Sequence, residues 1–252
     1  MLLRRVSHHV KTQNWFAVFL DLLIVVLGVY IGLQVQQWAL EKERQHSEGQ
    51  YLLRLHEEVE ELIETRVGYD ETRQRFSRNL MEVTELLKSD EAGLKLSEDQ
   101  CRSIAHSSFT TVPPAEIPSV SELISSGRLE RIASSGLRNH ILSYIQDVAR
   151  ARDLIVVISG SNVDMSRIYP MLIKSQFTLD DTFMRDSVGL NAICDLNQIK
   201  NSPAFLNDFN INAFNYIIYT ERGVLKVSQK LAELHAELDK SLGIEHPLKE
   251  AE

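Results

Sequence analysis

The chain has 252 residues and a mass of 28.8 kDa, room for one membrane anchor plus one sizeable domain of about 100–200 residues. Its formal net charge of −8 is uneven: Arg4, Arg5 and Lys11 precede the first acidic residue, Asp21, after which 24 Lys and Arg stand against 34 Asp and Glu. Such an acidic, interspersed surface argues against a nucleic-acid partner, which needs stripes of Lys and Arg, and against docking on anionic lipid.

After the basic segment 1–14, the only charged residue between Thr12 and Leu40 is Asp21. As a helix, residues 15–38 extend about 35 Å, enough to cross a hydrocarbon core of about 30 Å. Trp15 and Trp38 fall at the two water interfaces, where aromatic rings anchor a span. The apolar run outlasts the region of about 7–15 residues found in a cleavable signal and continues into Gln36, Gln37, Trp38 and Ala39 without a small-residue cleavage site. It reads as an uncleaved signal anchor. The positive-inside rule then puts 1–14 in the cytoplasm and 39–252 across the membrane, in the periplasm if the membrane is a bacterial inner membrane. The competing reading, a buried core helix of a soluble protein, suffers from the length of the run without charge.

On a helical wheel Asp21, Val25, Gly28, Gly32 and Val35 lie within about 40° of one line. Gly28-Val-Tyr-Ile-Gly32 is a G-x-x-x-G, the spacing that lets membrane helices approach closely. Alignment with an ionisable residue points to a helix–helix seam, self-paired or with a partner, in which Asp21 is protonated or hydrogen-bonded across the interface. The alternative is that Asp21, about 9 Å inside Trp15, is reached by interfacial water.

Beyond Trp38 the chain stays free of proline to Lys88, and Leu52, Leu55, Val59, Leu62, Ile63, Leu80, Val83, Leu86 and Leu87 recur at helical spacing. One long helix is predicted, with Gly49 and Gly68 as places to bend or break. Ser97, Glu98 and Asp99 open a short helix through Ile104. After "TTVPPAEIP", Ser119 and Glu122 have the spacing of a capping box for a helix ending at Gly127. A further helix carries Leu137, Ile141, Ile145, Val148 and Leu154. Pro170 interrupts the next segment, and "FTLDDTFMRDSVGL" is a connector or lid. Ser202 then caps a helix with Pro203 in its first turn, running towards Gly243 with a pause at Gly223. Its Phe205, Phe209, Ala213 and Tyr216 form a stripe expected in the core. With no long alternating strand and almost no hairpin signal, the predicted fold is all-α: a transmembrane helix followed by an extramembrane α-helical bundle whose long first and last helices pack antiparallel.

Candidate chemistry is sparse. The even count of cysteines, Cys101 and Cys194, in a segment placed outside the cytoplasm predicts one disulfide, the alternative being two buried thiols. The eight histidines form no H-E-x-x-H, and His56, beside Glu57 and Glu58, makes no ligand cluster with them because adjacent helical residues diverge by about 100°. No metal, cofactor or catalytic residue is predicted. Ser159 and Ser161 lack the frame of a nucleophile turn. Asp180, Asp181, Arg185 and Asp186 are the densest polar group outside the long helices, a candidate ligand or lid region in which a carboxylate pair could do acid–base work.

"NWFAVFLDLLIVVLGVYIGLQVQQW" resembles the opening of a family of bacterial single-pass membrane proteins catalogued as a domain of unknown function, and "SVSELISSGRLERIASSGLRNHILSYI" is similar to that family's central segment. "SPAFLNDFNINAFNYIIYTERG" is a weaker third match. The resemblance implies an inner-membrane anchor and a helical outer domain, and it supplies no activity. The expected role is an interaction or accessory subunit that binds a membrane or periplasmic protein or a second copy of itself. The alternatives are a ligand sensor signalling through a separate cytoplasmic partner and, least favoured, an enzyme.

Overall fold

The absence of proline before residue 113 lets one helix, α1 (Trp15–Lys88), form without interruption through Gly49 and Gly68. Two glycines among strong helix formers cost about 1 kcal/mol each, too little to break it. The computed structural model describes residues 15–91, 93–177 and 190–245 and is mostly helical, with a long apolar helix at its N-terminal end. The chain divides into two compact units, with the boundary between Tyr51 and Leu52.

In the first unit, Phe19, Leu22, Ile24, Val25, Val26, Val29, Ile31, Leu33, Val35 and Trp38 are all exposed. These positions cover every side of the helix. Among the described residues, α1 is the helix long and apolar enough to cross a membrane, and none of its most apolar window is buried.

In the second unit, α1 continues with Leu55, Val59, Leu80 and Val83 fully buried, so its apolar stripe faces a core. Helix α2 (Glu98–Ala105) is capped by Ser97, whose hydroxyl accepts from the Gln100 amide while the Gln100 side chain accepts from the Ser97 amide. Helix α3 (Pro118–Ser125) departs from the expected capping box: its N-cap is Ile117, with proline in the first turn and no side-chain cap. Ser119 is instead taken by Glu58 of α1, which accepts from its amide and its hydroxyl, both at 2.8 Å. A 3₁₀ turn (Arg128–Arg131) follows Gly127, whose φ of 65° suits glycine. Helix α4 (Ser135–Ser161) and the short α5 (Met165–Ile168) precede Pro170.

The chain next forms strands, which the sequence reading did not expect. Strands β1 (Ile173–Phe177) and β2 (Leu190–Cys194) pair antiparallel, Ile173 opposite Cys194 and Phe177 opposite Leu190. Cys194 also bonds Cys101 on α2, with Cα atoms 5.7 Å apart, so the hairpin is fastened to a helix at one corner. Two strands alone are marginal in water; packing against a helix supplies the missing support. Helices α6 (Leu196–Lys200) and α7 (Pro203–Ile218), a π-helical turn (Tyr219–Leu225) and α8 (Lys226–Leu242) complete the chain. The expected pause at Gly223 is this π turn, and α8 ends on Gly243 at φ 68°.

Phe205, Phe209, Ala213 and Tyr216 are buried against Leu80, Val83, Ile104, Ile155 and Ile158. Within this unit α1 and the last helical segment run antiparallel: His56 meets Asp239, Arg66 meets Ser228, and Arg66 reaches on to Val224.

Candidate functional site

The predicted helix seam lies in the first unit. A Cβ added at Gly28 or Gly32 would meet nothing within 4 Å, and Val25 and Val35 are exposed, so this face is open. Asp21 belongs to α1, but its side chain lies outside the described residues. Asp180, Asp181, Arg185 and Asp186 also lie outside the described residues, between the two strands. Beside that hairpin, Leu96, Met171, Leu172, Lys174, Ile193 and Leu196 line a shallow concavity.

Two polar clusters join α1 to the last helices. The first centres on Arg66, which is 2% exposed. Its Nε donates to Ser228 Oγ at 2.8 Å, Nη1 to the Pro114 carbonyl at 2.5 Å, and Nη2 to the Val224 carbonyl at 2.8 Å and to Asp70 Oδ1 at 3.3 Å. Ser228 in turn donates to Asp70. One guanidinium thus ties α1 to the loop before α3, the π turn and α8. Burial is the largest influence on Asp70 and pushes its carboxyl up, against the pull of Ser228 and Arg66. One turn along, Tyr69 and Tyr219 hydroxyls lie 2.8 Å apart and both donate to the Thr111 carbonyl. The Arg73 guanidinium sits over the Tyr69 ring at 4.1 Å. Burial and the neighbouring Tyr219 push the Tyr69 hydroxyl well above its usual range, so it works as a neutral donor.

The second cluster is nearer the start of the unit. Helical spacing puts His56 and Glu60 one turn apart on α1, and His235 and Asp239 one turn apart on α8. The antiparallel packing brings the pairs together. The two imidazoles stack, with centroids 4.8 Å apart and planes inclined by 30°. One edge of the stack faces Asp239: His56 Nε2 lies 2.8 Å from Oδ1 and His235 Nδ1 3.5 Å from Oδ2. The opposite edge faces Glu60, with His56 Nδ1 3.6 Å from Oε2 and His235 Nε2 3.6 Å from Oε1. His56 is buried, whereas Glu60 keeps 45% of its side chain exposed, so the cluster reaches solvent on the Glu60 side.

The sequence reading missed this cluster. His56 does not pair with Glu57 or Glu58, but with Glu60 and with residues about 180 positions away. The available signal was a pair of H-x-x-x-acid spacings, His56 to Glu60 and His235 to Asp239, near opposite ends of two helices predicted to be antiparallel. No protein-family model, curated protein or solved structure matches the chain.

Proposed function

We propose that this is a single-pass protein of a bacterial inner membrane and a member of the family its anchor and central segment resemble. Residues 1–14 are cytoplasmic, 15–38 span the bilayer, and 39–252 form a periplasmic helical bundle that serves as an interaction or accessory subunit. Asp21, Val25, Gly28, Gly32 and Val35 form the face through which the anchor associates with a second membrane helix.

One observation carries this reading: the apolar sleeve from Phe19 to Leu40 is exposed on every side of its helix. Each Leu, Ile, Val or Phe moved from water into hydrocarbon gains about 1.5–3 kcal/mol, so the sleeve favours lipid strongly. The Cys101–Cys194 bond suits an oxidising compartment, which agrees with the far side of the membrane. The acidic domain carries exposed Val156 and Val157 on α4 and Phe214 on α7, apolar surface of the kind that protein contact covers.

A crosslinking scan tests the association. Single cysteines are placed along residues 21–35 of the full chain in native membranes; Cys101 and Cys194, being bonded to each other, do not compete. Capture of a neighbouring helix peaking at positions 25, 28 and 32 is expected. A flat profile removes the seam and with it the accessory-subunit reading.

A further inference from the structure

The histidine–carboxylate cluster has a use that neither the anchor nor the core packing requires. We propose that His56 Nδ1, His235 Nε2 and the Glu60 carboxylate form a binding site for a divalent first-row transition metal ion such as Zn²⁺, with Asp239 orienting the His56 imidazole.

The argument starts from Asp239. A carboxylate accepts hydrogen bonds and does not donate them, so His56 Nε2, 2.8 Å from Oδ1, carries its proton. In the neutral ring Nδ1 then holds the lone pair, and it faces Glu60. His235 presents Nε2 to the same Glu60 carboxylate, with Nδ1 on the Asp239 side. Asp239 therefore holds His56 in the tautomer that turns its Nδ1 towards Glu60, the role a carboxylate commonly plays behind metal-bound imidazole. What converges beside Glu60 is one ring nitrogen from each histidine and a carboxylate, three groups of the kind that ligate a metal ion.

Geometry and donor chemistry agree with a metal ion. The three ligand atoms lie within 4.8 Å of one another. A tetrahedral Zn²⁺ with bonds of about 2.0–2.1 Å holds its ligands about 3.3–3.4 Å apart, so the nitrogen–carboxylate spacings of 3.6 Å are already near the mark. The remaining movement is a swing of one ring, because planes inclined by only 30° send their lone pairs along nearly parallel lines. Half-buried His235 can turn more readily than buried His56. Two imidazoles and a carboxylate suit zinc and its neighbours in the first transition row better than Mg²⁺ or Ca²⁺, which favour oxygen ligands alone. Three protein ligands, with Glu60 at the solvent side, leave a coordination position for water. Since the ligands come from α1 and α8, an ion there would clamp the two helices together.

The test uses the untagged full chain, purified in mild detergent, stripped with chelator and titrated with Zn²⁺ against a chromophoric competitor. Co²⁺ is added separately to read the coordination number from its visible spectrum. One ion per chain at micromolar affinity or tighter is expected, with a four- or five-coordinate Co²⁺ spectrum. Glu60→Gln and His235→Ala, each checked for unchanged circular dichroism, should weaken Zn²⁺ binding by about 100-fold or more, and Asp239→Asn by about 10–100-fold through loss of ring orientation. His56, being buried, is left intact so that folding and binding stay separable. Absence of binding at micromolar Zn²⁺ overturns the proposal. So does binding that survives both Glu60→Gln and His235→Ala, since it would belong to other histidines such as His8 and His9.

Discussion

Arg66→Met keeps much of the bulk and the apolar stem of the side chain and removes its charge and hydrogen bonds, which makes it the sharpest probe of how the domain is held together. The carbonyls of Pro114 and Val224 lose donors at 2.5 and 2.8 Å, and Asp70 loses its cation. Each stranded buried acceptor costs about 1–3 kcal/mol, and breaking one side of a buried ion pair typically costs about 3–5 kcal/mol in all. The substitution should therefore destabilise the domain by about 3–5 kcal/mol, much of the margin of about 5–15 kcal/mol typical of folded proteins. Both tryptophans, Trp15 and Trp38, precede Leu52, so unfolding of the second unit is followed by far-UV circular dichroism of the full chain in mild detergent and urea. The deficit should shrink on acidification. Burial already raises the Asp70 carboxyl, and without Arg66 it rises further. The folded state then binds a proton more readily than the unfolded one, so stability is regained as pH falls through the folded-state value. Asp70→Asn in the Arg66→Met background should recover part of the loss at neutral pH. A loss below about 1 kcal/mol, the range of solvent-exposed pairs, would refute the argument that Arg66 is a buried tie.

Two further outcomes follow from named contacts. Cys101→Ser, with Cys194→Ser, opens a loop of sequence separation 93 and should cost about 2–5 kcal/mol, read as a lower urea midpoint that reductant reproduces in the unsubstituted chain. Glu122 accepts from Arg54 at 2.6 Å and from Arg128, and the Arg54 bond holds its carboxyl below the ordinary 4.5. Its contribution is thus present above the unfolded-state value and lost as pH falls through the folded-state value, and Glu122→Gln should flatten that acid limb without changing stability at still lower pH.

The parts of the fold that were legible in the sequence rest on local chemistry. Ser202-Pro203 opens α7, Gly243 ends α8, and the spacing of Phe205, Phe209, Ala213 and Tyr216 marks a buried face. What escaped the reading depends on partners distant in sequence. Ser119 has the spacing of a cap, yet Glu58 claims both its amide and its hydroxyl from another helix. The strand Ile173–Phe177 is short, with charged and polar residues among its five, and its partner begins only at Leu190. The two strands are twelve residues apart in sequence, so no tight two-residue turn marks them as partners, and the cysteine count that pointed to the Cys101–Cys194 bond did not show that it fastens a strand to α2. The metal-binding candidate is the extreme case: each H-x-x-x-acid pair is an ordinary surface spacing, and only helix packing makes four residues into one cluster.

The central claim, an anchor in the bilayer with the domain outside the cytoplasm, is tested most directly by protease accessibility in spheroplasts expressing the full chain with an epitope ahead of Met1. If residues 39–252 are periplasmic, added protease should digest them while the membrane is intact and leave a short epitope-bearing fragment containing the span. A chain that stays whole until detergent opens the membrane would contradict the account.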